Sequence, residues 1–167
     1  TVGNGTLESF AVWYNAGTIN GVVGDAGNDG TAISYTWTPT INTTWYHVGY
    51  TFNDASNSQA IYINGAQVAT NTTTKTIGYD TKAFTLGTEY ENNVLNFFFA
   101  GSIDEARFSN TDRSTQWIST EYNNQNSPST FSATGAEGAA SATLDLGISY
   151  NVNVAGNYSN NGSYSVT

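Results

Sequence analysis

Glu89 and Glu91 stand two residues apart in GTEYE, a run of β-type character, so their carboxylates share one face of a strand. Hydrolysis of a glycosidic bond needs two carboxyl groups about 5–9 Å apart, one with a raised pKa, and close like charge supplies that shift. This pair is therefore the first place to look for catalysis. A second acidic pair, Asp104 and Glu105, is adjacent in sequence, which sends its side chains to opposite strand faces. His47 is the single histidine and cysteine is absent, which excludes a zinc centre and a Cys–His nucleophile pair. In Trp45-Tyr46-His47-Val48 the histidine reads as a strand residue hydrogen-bonded within a sheet. The expectation is a solvated carboxylate edge and no enzyme.

Two binding chemistries remain. Gly24-Asp25-Ala26-Gly27-Asn28-Asp29-Gly30 gathers hard oxygen donors at turn spacing, making Asp25, Asn28 and Asp29 candidate Ca2+ ligands, with Asp54 and Asp80 as further donors if the fold brings them near. The loop lacks the twelve-residue helix–loop–helix pattern, and an acidic turn is the simpler reading. No cofactor other than Ca2+ is suggested. Aromatic rings stack on the apolar faces of sugars, and Trp37, beside Pro39, and Tyr90 are the candidate glycan contacts. Asn4, Asn42, Asn71, Asn157 and Asn161 each open an Asn-x-Ser/Thr sequon, a candidate site of N-glycosylation.

These residues sit on a chain of short strands. LESFAVWY (7–14), INGVVGD (19–25), AISYTW (32–37), TWYHVGYTF (44–52), AIYI (60–63), AQVAT (66–70), KAFTLGTEY (82–90) and NFFFAGSIDEARFS (96–109) are rich in β-branched and aromatic residues and broken by Gly, Asn and Asp. Asn64-Gly65 predicts a two-residue hairpin, because both residues tolerate positive φ. Residues 112–124 break the pattern: Ile118 and Tyr122 are four apart on one helical face, Thr111 or Asp112 can cap the start, and Pro128 follows the end. The Ser-, Gly- and Ala-rich stretch 127–142 has little to bury and predicts a linker or extended arm, able to reach roughly 50 Å. After it, Leu144, Leu146, Ile148, Tyr150, Val152 and Val154 alternate with small or polar residues, one apolar and one polar face of a single strand.

Composition narrows the partners. Thirteen acidic residues against four basic ones give a net charge of −9, which argues against nucleic acid and anionic membrane surfaces. No apolar run approaches the roughly 18 residues of a membrane span. A surface wetted by Asn, Thr, Ser and Gly suits a secreted or cell-surface protein. The absence of methionine predicts that Thr1 is a processed or excised end.

The order TWYHVGYTFND (44–54), IYINGAQVAT (61–70), FFFAGSIDEARFSNTDRSTQWISTEYNNQNSPSTF (97–131) resembles laminin G-like jelly-roll domains of the concanavalin A-like lectin/glucanase superfamily, of the kind found in bacterial and archaeal surface proteins. The resemblance covers roughly 7–131. It implies an all-β fold, a sandwich of two antiparallel sheets with one short helix near 112–124, and it places Trp45 and Trp117 in the core. It leaves function open, because this fold hosts lectins, hydrolases and scaffolds. The carboxylate triplet of laminarinase-type relatives, Glu-x-Asp-x-x-Glu, is absent. Such domains also begin with a strand of the type Leu-x-Phe-x-Gly ahead of the one matching SFAVWY, and here it is 144–154 that resembles this first strand.

The expected organisation is a sandwich body over 1–131, a flexible arm over 132–142 and C-terminal strands over 143–167 that complete a sandwich in cis or in a neighbouring subunit. A permuted domain, strand donation between molecules, and a tandem repeat cut at an arbitrary point all fit this pattern. The leading expectation is a non-catalytic extracellular structural or adhesive module, self-associating into a filament or repeat array. A glycan-binding module, Ca2+-assisted, is the alternative.

Overall fold

The computed structural model describes residues 9–25, 28–40, 43–79, 83–91 and 94–131, all within the unit Thr1–Ala133. The strand read at 143–154 and the arm before it lie outside the described residues.

The first sheet is built on an antiparallel hairpin of β1 (Phe10–Asn15) and β2 (Thr18–Asp25), turned by Ala16 and Gly17 at φ 48° and 81°. The sequence reading did not identify this turn. β3 (Asn28–Asp29) and β4 (Ile33–Thr36) pair with different parts of β2. The second sheet is β5 (Val48–Asn53), β6 (Ser58–Ile63) and β7 (Ala66–Thr72), in sequence order and antiparallel. Its β6–β7 turn is Asn64-Gly65, at φ 50° and 75°, as the dipeptide predicts. A short hairpin, β8 (Glu89–Glu91) with β9 (Val94–Asn96), follows. The result is an all-β jelly-roll sandwich with a short helix.

The core lies between the two sheets. Ile19 and Ile33 of the first meet Ile61 and Ile63 of the second, with Trp37, Tyr50, Val68 and Ala69 packed around them. β6 is buried on both faces, because Ala60 and Tyr62 point the other way and meet Ile118 of helix α1 (Thr115–Asn126). The helix stands where its pattern predicted, but its cap is Ser114, whose Oγ accepts the Trp117 N–H at 3.2 Å. Asp112 is used elsewhere, accepting from Asn53 Nδ2 at 2.8 Å. The linker expected from 127 does not begin there: Pro128–Phe131 form a four-residue turn of helix, α2, whose Thr130 and Phe131 N–H groups donate to Ser127 O. No described helix is long and apolar enough to cross a membrane.

Two further expectations change. The strands read at 82–90 and 96–109 shrink to β8 and β9, and 97–109 carries no strand among the described residues. Phe97 and Glu105 adopt φ of 50° and 51°, left-handed geometry that cannot continue a pleated ladder. The tryptophans assigned to the core also face outward: Trp45 is 67% exposed and Trp117 40%. Trp45 precedes β5 and so escapes the layer, and Trp117 adjoins Ile118 on the helix but points along a different face, where Arg113 lies 4.9 Å from its ring.

Candidate functional site: an open inner face

Residues directly opposite in an antiparallel pair share a face. Phe10, Val12 and Tyr14 of β1 lie opposite Val23, Gly21 and Ile19 of β2. Ile19 is a core residue, and a Cβ at Gly21 would meet the Tyr50 ring of the second sheet at 2.6 Å. The even positions of β1 therefore belong to the sandwich interior. Yet Val12 is 43% exposed and Tyr14 44%. Among the described residues the second layer covers β2 and stops short of Val12, while Tyr14 meets Trp37, its ring 5.8 Å from the indole and its hydroxyl donating to Trp37 O at 3.2 Å.

Aromatics rim this opening. Phe108 stands 5.2 Å from Phe10, and Phe84 5.9 Å from Phe10 and 6.0 Å from Phe108, centroid to centroid. Phe84 and Phe108 are both largely exposed, as are Phe97, Phe98, Phe99 and Ile103 nearby in sequence. In 97–109 the described backbone bond is Phe99 N–H to Gly87 O, at 2.7 Å. The segment thus offers both apolar side chains and main-chain groups free of a described ladder.

The other face of the same segment is tied down. Arg107 donates to Glu105 at 2.8 Å and to Glu121 of α1. Glu121 also lies 4.0 Å from His47 Nε2, and the Tyr122 ring is 6.0 Å from the imidazole. Burial pushes the His47 pKa down, the Glu121 charge pulls it up, and Arg107 pushes it down again, with a net lowering. Its Nδ1 is buried with no partner among the described residues. His47 is half-buried and stands just before β5 rather than in a strand; its backbone N–H donates to Asn64 Oδ1 at 3.1 Å and its carbonyl accepts from Asn64 N–H at 2.8 Å.

Between the sheets, fully buried Gln59 donates from Nε2 to Thr31 O at 2.6 Å and to Asn71 Oδ1 at 2.7 Å, and accepts from the Tyr50 hydroxyl at 2.7 Å. Burial raises the Tyr50 pKa above the ordinary tyrosine range.

Of the candidate ligands, Asp25 and Asn28 are cross-strand partners in the β2–β3 pair. Asp25 ends β2 with its carboxylate on Lys75 Nζ, at 3.0 and 3.2 Å, while Asn28 and Asp29 form β3. Asp54 accepts from Thr76. Among the described residues no group of three or more His, Cys, Asp or Glu side chains is arranged to hold a metal ion. Trp37 is half-buried, held edge-on by Tyr14 at 5.8 Å and Tyr46 at 5.0 Å. Tyr90 is the centre of β8, opposite Leu95. Glu89 and Glu91 flank it, and Oε1 of Glu89 is buried without a partner among the described residues. Of the sequon asparagines, Asn71 lies in β7 and donates to Ala32 O at 3.1 Å, while Asn4, Asn42, Asn157 and Asn161 lie outside the described residues, as do Asp80 and 144–154. The sequence reading missed the open face of β1. The alternation of Phe10, Val12 and Tyr14 was visible, but what fails to cover them was not.

Comparison with known proteins places this fold. A crystal structure of an S-layer domain-containing protein (residues 221–444) from Clostridium thermocellum ATCC 27405 is similar, with a TM-score of 0.42 and 21% identity over 64% of this chain and 52% of that one. The chain thus spans about half of that structure's length. No curated protein matches the chain. The Laminin_G_3 family model, described as the concanavalin A-like lectin/glucanases superfamily, matches residues 1–119. That match covers well over half of the sequence and agrees with the two-sheet architecture: the chain belongs to the concanavalin A-like lectin/glucanase superfamily.

Proposed function

We propose that this protein is a non-catalytic structural module of a cell-surface protein or filament, joined to its neighbours by donation of the strand 142–154. The observation that supports it most is the exposure of Val12 and Tyr14 on an interior face. Among the described residues no layer covers Val12, and the same chain carries 142–154, an alternating segment that as a strand would have one apolar face. Burying the six large residues Leu144, Leu146, Ile148, Tyr150, Val152 and Val154 is worth on the order of 10 kcal/mol before ordering costs, enough for a durable joint. The organisation goes with it: a body over 1–131, an arm over 132–142 and donor strands over 143–167. An extracellular site accords with the acidic surface rich in hydroxyl and amide side chains, with the sequons as glycan acceptors.

Light scattering of the full chain through a mild denaturant series tests the reading. Donated strands are kinetically trapped and give a ladder of multimers that persists on dilution. A single monomeric species at every concentration would end it.

A second reading, a lectin-like module, is favoured by the exposed ring of Trp45, with Ca2+ held at the 24–30 loop. A glycan array run with and without chelator separates the two: chelator-sensitive sugar binding selects the lectin.

A further inference from the structure

We infer that the opening over β1 is the acceptor slot for Leu144–Val154 of a second copy of this chain, seated in the second layer opposite β1 and beside 103–109. The inference rests on the proposed strand donation and names where the donated strand goes. Three observations place it. First, Phe10, Val12 and Tyr14 alternate along β1 on the inner face, and the strand that would cover them needs a matching period of two. Leu144–Val154 has it over eleven residues. Second, β5 is an edge of the second sheet and its Tyr50 stands above Gly21 of β2, so among the described residues the place opposite β1 lies beyond β5 and is not taken by a strand. Phe84 and Phe108 stand at its margin against Phe10. Third, the last described residue is Phe131, with twelve residues, 132–143, before the donor begins at Leu144. Extended, they span about 40 Å, enough to reach a neighbour. The slot has no charged residue among Phe10, Val12, Tyr14, Phe84 and Phe108, which suits a donor face with none.

A photo-crosslinking residue at position 12 in the full-length chain reads the occupant. Light and 15N-labelled chains are refolded together, irradiated and digested. Expected is a crosslink from position 12 to a peptide within 143–154, including pairs that join a light chain to a heavy one. A crosslink to 143–154 found only within single chains keeps the slot's occupant and overturns the joining of neighbours. Crosslinks to other segments, or none, overturn the slot itself. A second variant guards against misfolding. Val12→Glu places its charge where the side chain reaches solvent, so the circular dichroism spectrum should match the wild type while the multimer ladder moves to several-fold lower denaturant. An unchanged ladder counts against the slot.

Discussion

Gly21 lies directly under the ring of Tyr50, so close that a Cβ there would stand 2.6 Å from two of its ring carbons. The two sheets approach closely here, and the ring has little freedom to yield because its hydroxyl is bonded to buried Gln59. Gly21→Ala should destabilise the body by about 1–3 kcal/mol, read as a lower denaturant midpoint at constant m-value. A variant as stable as wild type would mean that the layers slide past one another freely.

Gln59 satisfies three partners in the sandwich interior. Gln59→Leu keeps the volume and strands the Tyr50 hydroxyl and the Thr31 carbonyl. The expected loss is about 1–3 kcal/mol, and the Tyr50 hydroxyl should become visible to alkaline titration at lower pH than in the wild type if water enters to replace the amide.

His47 carries a pH signature. Its pKa is lowered in the folded chain, chiefly by burial, so between the folded and unfolded values the unfolded chain binds more protons. Stability is complete above the unfolded value, about 6.5, and falls as pH drops through that value towards the folded one. Glu121, Arg107 and the Tyr122 ring face the imidazole. Denaturant midpoints at pH 7.5 and 5.5 should differ more for wild type than for His47→Gln, and equal differences would assign the pH dependence to the carboxylates alone.

On the proposed reading, removing 142–167 takes away the donor strand. The truncated chain is expected to be monomeric or insoluble, with its open β1 face unfilled, by sedimentation against the full chain. Multimers of unchanged size from the truncated protein would refute donation.

Much of this fold could be read locally. Runs rich in Val, Ile, Thr and aromatics, broken by Gly, Asn and Asp, marked the strands of both sheets, Asn64-Gly65 marked the β6–β7 hairpin, and Ile118 with Tyr122 marked the helix. Each of these depends on residues within one element. Ser114 displaced Asp112 as the cap because Asn53, far away in sequence, holds the Asp112 carboxylate. The strand expected through 97–109 was lost to positive φ at Phe97 and Glu105, bulky and charged residues whose types give no warning of it.

The candidate site divides in the same way. Chain composition alone excluded thiol and zinc chemistry and set the acidic charge, and alternation alone defined the apolar face of 144–154. Which side chains are buried was decided only by the tertiary structure: Trp37 is wedged between Tyr14 and Tyr46, Trp45 stands in solvent, and Val12, on an interior face, is left exposed. The physical reason is that periodicity orients a side chain relative to its own backbone, whereas burial depends on what another element places opposite it, and that partner lies far away along the chain.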